Sequence, residues 1–336
     1  MSVSSCKHPG RPGFLACSDC PRKRNPQPAV NVETSSAANS DPLRPASWAD
    51  VVGQAKAVEQ LRLLVDASTL AEKRLPHVLL AGPPGTGKTS LARVFGHAAG
   101  LPVTVASGVT LSRPADVVKV MTGNSEGILF VDEVHRCPTP VLELLYTVLE
   151  DGRLDVVVGD RPVSIPVPGW VMAAATTRPG ALPRPFADRL VRVDLELLSA
   201  DELAHVVVGA AGRCGWRITA EAARGIGLRG RGTPRVALHL AERCVEWASV
   251  HGTGLVTGAV VVAACGLWGV DEKGLTELDR KVLCVLADAQ APVGLSVLAA
   301  RVGVDEETVS EACEPELMRL GLLARTPRGR VLAAVS

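Results

Sequence analysis

The 336-residue chain is short of aromatic side chains: one Tyr, four Phe and five Trp make up 3% of it. The five Trp are not interleaved with basic residues, so a stacking platform for single-stranded nucleic acid is not indicated. Long apolar runs are also missing. The longest uncharged stretch, Gly252–Val270, holds five Gly and two Thr, and its apolar core, Ala259–Cys265, is seven residues long. A membrane span needs about 20. Met1–Asn25 is polar and basic with no apolar h-region, so no secretory signal is expected and the chain is read as cytoplasmic. There is no bulk charge of either sign: 36 Lys and Arg against 35 Asp and Glu leave +1. Any contact with nucleic acid must then come from local patches. The nine Cys are an odd number in a chain without an export signal. They argue for free or metal-bound thiols and against a disulfide framework.

What is present is a globular chain. Hydrophobic residues make up 47% and charged residues 21%, enough for a full core and, at this length, two or three domains. Residues 1–25 hold three Cys, one His and five basic residues. Residues 26–42, PQPAVNVETSSAANSDP, have no apolar periodicity and read as a flexible linker spanning about 20–25 Å. From Leu43 to residue 198, short apolar strands alternate with amphipathic helices, the pattern of an α/β domain with a parallel sheet. From Ser199 to residue 270 only helical patterns remain. Residues 271–336 read as three helices followed by two short strands, the layout of a winged helix. No internal repeat is present.

Gly82-Pro-Pro-Gly-Thr-Gly-Lys-Thr89 fits the phosphate-loop pattern, with a strand before it and a helix opening at Ser90. The glycines Gly82, Gly85 and Gly87 let backbone N–H groups approach phosphate oxygens, and the helix N-terminus adds partial positive charge. Lys88 is expected on the β/γ-phosphates and the Thr89 hydroxyl on Mg²⁺. Asp132 stands 44 residues past Lys88, at the end of the apolar run Ile128-Leu-Phe-Val-Asp-Glu133. That places two carboxylates at the carboxyl edge of a parallel sheet, where α/β ligands bind. Asp132 is expected to hold Mg²⁺ through water, and Glu133 to orient or deprotonate the attacking water. Thr177 follows another apolar strand, Trp170–Ala175, and can reach the γ-phosphate or the water. Arg189 and Arg235, each taken alone, are most often surface residues.

Together these segments resemble the AAA+ ATPases, and within them the RuvB family of Holliday-junction branch-migration motors. The resembling stretch is Leu43–Val331. Its matching segments include Leu149-Glu-Asp-Gly-Arg-Leu-Asp155 and Arg231-Gly-Thr-Pro-Arg235, and the more particular ones are Ala175-Thr-Thr-Arg-Pro-Gly180 and Arg325-Thr-Pro-Arg-Gly-Arg-Val331. The resemblance implies ATP and Mg²⁺ as cofactors and a ring, expected to be a hexamer. In it Leu43 and Arg44 border the adenine, with Ser90, Glu150 and Asp151 among the ATP contacts. Thr177 resembles the first sensor, Arg235 the second, acting in its own subunit, and Arg189 the arginine finger that completes a neighbour's site. Arg325, Arg328 and Arg330 fall on the wing, where residues 316–336 carry four Arg against one Glu, suited to phosphate-backbone contact. The implied activity is branch migration of Holliday junctions in recombination and repair, on branched or duplex DNA, with a RuvA-type partner.

Several features depart from the family pattern. The arginine usually found two positions before the finger is Ala187, and a tyrosine usually near the nucleotide is Leu198. The expected hairpin Leu154–Val167, where the family docks on RuvA, is shorter. Residues 1–42 have no family counterpart. There, Cys6, His8, Cys17 and Cys20 offer a zinc-knuckle-like ligand set that could hold Zn²⁺. These departures keep two other readings open: an AAA+ protein that remodels or loads a protein partner, as clamp loaders do, and a nucleotide-dependent regulator whose wing reads DNA sequence.

Overall fold

The structure is a computed structural model that describes residues 33–35, 41–123, 126–158, 161–167, 169–289 and 291–333. The Cys6, His8, Cys17 and Cys20 reading lies outside the described residues. Among the described residues, no cluster of three or more His, Cys, Asp or Glu is arranged to hold a metal, and no helix is long and apolar enough to cross a membrane.

In chain order the strands are β1 (Glu33–Ser35), β2 (Val78–Ala81), β3 (Val103–Ser107), β4 (Glu126–Asp132), β5 (Arg153–Val158), β6 (Arg161–Pro166), β7 (Gly169–Thr176), β8 (Val191–Asp194), β9 (Leu323–Thr326) and β10 (Gly329–Leu332). The main sheet runs β1-β3-β4-β7-β2-β8. Its last five strands are parallel, while β1 lies antiparallel on β3. The central strands are apolar throughout because both faces of a parallel sheet are covered. Side chains alternate between those faces. Leu79, Leu129, Val131, Met172 and Ala174 pack with Leu145 of α4 (Thr139–Asp151) and Val117 of α3 (Pro114–Thr122). Val78, Leu80, Ile128, Phe130 and Ala173 pack with Leu61 of α1 (Ala55–Leu70) and Phe95 of α2 (Lys88–Ala98).

Register then places the chemistry. Ala81 pairs with Thr176, and Ser107 with Asp132, so the strand ends β2, β4 and β7 reach one edge together. After α4, Gly152 in the left-handed region (φ 64°) turns the chain into the β5–β6 hairpin.

A one-turn helix, α5 (Arg184–Ala187), precedes β8. Four helices follow: α6 (Ala200–Cys214), α7 (Ala220–Arg229), α8 (Pro234–Val250) and α9 (Gly258–Leu267). Ser199 and Glu202 form a reciprocal capping box at the start of α6. Thr219, Thr233 and Thr257 cap the other three. These helices share their own core, built around Leu203, Val207, Ile226, Ala241 and Val261. The last unit has α10 (Glu277–Ala287), α11 (Leu295–Val302), a helical run over residues 306–319, and the β9–β10 wing, around Val282, Leu298, Val309 and Leu317. The run passes through a π-helical turn at Val309–Cys313.

Two elements differ from the sequence reading. β1 falls inside residues 26–42, which read as a linker; three residues without apolar periodicity gain order only by adding to a sheet edge. β8, Val191-Arg-Val-Asp, is four residues long with two charged, too short a run to stand out in the sequence.

Candidate functional site

The carboxyl edge of the sheet and helices α6 and α8 enclose a cavity of about 400 Å³. Leu43, Arg44, Gly85, Gly87, Lys88, Thr89, Ser90, Asp132, Glu133 and Arg235 all line it. The sequence reading therefore converges on one place for these ten residues, from segments spread over nearly 200 positions.

The loop needs its glycines. Gly82 sits at φ 157°, and a Cβ there would lie 2.4 Å from the Leu195 carbonyl oxygen. Gly85 (φ 78°) abuts Thr233 and Arg235, so the start of α8 closes directly over the loop. The Arg235 N–H donates to the Gly85 carbonyl at 3.4 Å. Lys88 is buried, and its ammonium donates to the Gly82 and Pro83 carbonyls at 2.9 and 2.8 Å. Burial lowers the Lys88 pKa from its ordinary value, opposed by the charges of Glu133 and Asp132. Burial likewise raises that of Asp132, and the adjacent Glu133 charge adds to the effect. Two acids held side by side at this cost concentrate negative charge where a divalent cation relieves it.

Glu133 is held at φ 49°, a strained conformation for a residue with a Cβ. Its Oε2 accepts from the Thr177 hydroxyl at 3.0 Å and lies 3.2 Å from His135 Nδ1. That nitrogen is also 2.9 Å from Thr176 Oγ1. Glu133, the Thr177 hydroxyl and His135 are thus one polar cluster.

Arg189, Glu150 and Asp151 stand outside this cavity. Arg189 follows α5, pairs with Glu150, donates to the Pro185 carbonyl at 3.0 Å and lies 4.4 Å over the Tyr146 ring. Asp151 pairs with Arg153 at 3.2 Å. None of the three lines the cavity of its own protomer; Glu150 and Asp151 are exposed and Arg189 is half-buried beside Glu150.

The wing arginines also divide. Glu314 is fully buried and takes both Arg325 and Arg330, each Nε at 2.6 Å from a different carboxylate oxygen. Arg325 and Arg330 therefore hold the wing to the helix, because a buried carboxylate must be paired, although the Arg325 side chain stays 49% exposed against 19% for Arg330. Arg328, exposed at the turn, keeps its guanidinium for solvent or ligand.

The sequence reading missed Arg213. From the last turn of α6 it donates to the carbonyls of Pro42 at 3.0 Å and Leu43 at 3.3 Å, tying that helix to the segment 42–44 that borders the cavity. Its partners lie about 170 positions away, so no local signal marks it. Arg213→Ala is expected to weaken nucleotide binding about tenfold, from loss of two charge-assisted hydrogen bonds. A rise in KM with kcat retained, and a matching rise in the Kd of a fluorescent nucleotide, check it.

Family profiles match almost the whole chain beyond residue 42. They are the Holliday junction DNA helicase RuvB P-loop domain over residues 43–195, the RuvB AAA lid domain over 198–271 and the RuvB C-terminal winged helix domain over 272–335. The chain belongs to the RuvB family. It is 43% identical to the Holliday junction branch migration complex subunit RuvB of Mycobacterium avium, covering 87% of this chain and 86% of that protein. Against the same subunit of Rhodococcus erythropolis it is 41% identical, covering 88% and 83%. A solved structure of the Thermotoga maritima RuvB Holliday junction branch migration motor superposes with a TM-score of 0.75 at 36% identity, covering 87% of this chain and 95% of that one. As a RuvB-family AAA+ protein the chain is an ATP hydrolase that uses ATP and Mg²⁺. The site fits that pair: a loop whose three glycines all sit at positive φ, a buried ammonium, a hydroxyl at Thr89 and two adjacent acids. Mg²⁺ would rest on Thr89 and Asp132, neutralising charge on the phosphates.

Proposed function

We propose that this protein is an ATP-driven DNA translocase that moves the branch point of Holliday junctions in recombination and repair, working as a cytoplasmic hexameric ring. The observation that carries the reading is the separation of Arg189 from its own protomer's cavity while every other ATPase residue except Glu150 and Asp151 is gathered at or beside it. An arginine that cannot serve its own site serves a neighbour's, and a closed ring of such contacts follows. Glu150 shares that outward face, so its place and that of Asp151 are at the boundary with the adjacent subunit.

DNA contact is assigned to the wing tip. The helical run 306–319 and its N-cap Asp305 present exposed Asp305, Glu306, Glu307 and Glu311, and such a face is repelled by a phosphate backbone. This disfavours groove reading and with it a sequence-specific regulator. Arg328 supplies the phosphate contact. Arg328→Ala should lower DNA affinity and reduce the salt dependence by about one charge with no change in Tm. Arg330→Ala should instead lower Tm, because buried Glu314 loses a partner at a cost of about 1–3 kcal/mol. Salt titrations and thermal melts of the two variants check this division.

The β5–β6 hairpin is the docking element for a RuvA-type junction-binding protein. ATPase rates measured with duplex, single-stranded and four-way DNA, with and without that partner, test the reading. Stimulation by four-way or duplex DNA, and junction migration only with the partner, is the expected result. Stimulation by none of the three contradicts it.

A further inference from the structure

We propose that the π-helical turn Val309–Cys313 of the winged-helix unit is the element through which the state of the nucleotide site is passed to the DNA-binding domain, with Arg178 and Arg231 as its positioning residues. The two arginines come from different domains and meet the same turn. Arg178 directly follows Thr177, and its Nη2 contacts Glu311 Oε1 at 2.6 Å. Its backbone N–H donates to Thr176 Oγ1 at 3.0 Å, the hydroxyl that also meets His135, which in turn contacts Glu133. Glu311 is therefore joined to the catalytic carboxylate through an unbroken series of polar contacts.

The second connection starts at Arg235, whose N–H reaches the phosphate-loop carbonyl of Gly85. Four residues upstream, Arg231 is held at φ 52°, a conformation that costs energy for a residue with a Cβ. From there its guanidinium donates to the Gly274 carbonyl at 2.9 Å and the Ala312 carbonyl at 3.4 Å, and pairs with Asp279. Asp279 is fully buried and also caps α10 through the Thr276 N–H and hydroxyl, both at 2.7 Å. Arg231 thus reaches both the start of the winged helix and the turn itself.

A π turn inside a helix carries one extra residue per turn and is held only where the surroundings favour it. Here the surroundings are two arginines placed beside the two γ-phosphate sensors. A displacement of Thr177 or Arg235 as phosphate is gained or lost moves Arg178 or Arg231, and the turn can answer by changing its winding. Arg178 and Glu311 are both largely exposed, 65% and 52%, so their contact contributes little to stability. Its value lies in where it joins the two domains.

The proposal rests on the motor reading only for its DNA readout. In Glu311→Gln, basal ATPase and Tm should be unchanged while stimulation by four-way DNA falls about fivefold. The double variant Arg178→Gln/Glu311→Gln should be stimulated as Arg178→Gln alone is, because one contact is removed once. Full stimulation in Glu311→Gln, or independent multiplication of the two losses, overturns the proposal. Hydrogen exchange across residues 309–313 with ATP against ADP gives a readout free of DNA. Protection that differs between the two nucleotides in the unaltered protein, and not in Glu311→Gln, is expected; protection blind to nucleotide overturns the coupling. A protein that DNA does not stimulate but whose turn responds to nucleotide would remove the motor reading and leave the coupling standing.

Discussion

Glu133→Gln is expected to reduce ATP turnover by about 10²–10⁴, the range for loss of a positioned general base, while ATP binding is kept. On the proposed ATPase reading, phosphate contacts come from the loop Gly82–Thr89 and from Arg235, all of which the substitution leaves in place. The glutamine is isosteric and still accepts from the Thr177 hydroxyl, so the cluster with His135 persists. What is lost is the ability to take a proton from water, together with the charge that acts on Lys88 and Asp132. Single-turnover hydrolysis alongside nucleotide titration checks this. Parallel loss of affinity would mean that Glu133 acts mainly in holding the nucleotide.

The second large effect belongs to Arg189. Arg189→Ala should lower kcat by about 10³–10⁵, the range for removal of an arginine finger, with no change in the Kd for ATP. Arg189 does not line its own protomer's cavity, so its removal leaves that cavity's contacts intact. Its loss also releases Glu150 from a surface ion pair, which is worth little to folding, so Tm should hold. A fall in ATP affinity that tracks the fall in turnover would contradict the assignment. Sedimentation of the variant separates loss of chemistry from loss of the ring.

The residues that were plain in the sequence are those whose neighbours in space are neighbours in the chain. The phosphate loop shapes itself through its own glycines, and the acidic pair sits at the end of a run so apolar that it must be a buried strand. Both could be placed before any coordinates. Arg213 could not, because its acceptors are carbonyls of a strap far upstream, and carbonyls leave no mark on sequence. The resemblance put Arg325 and Arg330 with Arg328 as phosphate contacts. The buried Glu314 takes two of the three, since the carboxylate lies 11 and 16 positions away and becomes buried only when the wing folds onto the helix. Glu150 and Asp151 read as ATP contacts from the resemblance; the fold puts them beside Arg189, away from the cavity in their own protomer. Edge strands β1 and β8 escaped for a related reason: a few residues added to a sheet edge owe their order to the neighbouring strand.

The account turns on a hydrolytic site shared by two subunits, and mixing two inactive proteins tests that most directly. Arg189→Ala keeps its own base and lacks the finger; Glu133→Gln keeps the finger and lacks the base. At a boundary where the first holds ATP and the second stands beside it, a complete site forms. Random equimolar mixing should place about one site in four in that arrangement, so ATPase activity should return to about a quarter of the unaltered rate. A mixture as inactive as either parent, with assembly intact, would contradict the shared site.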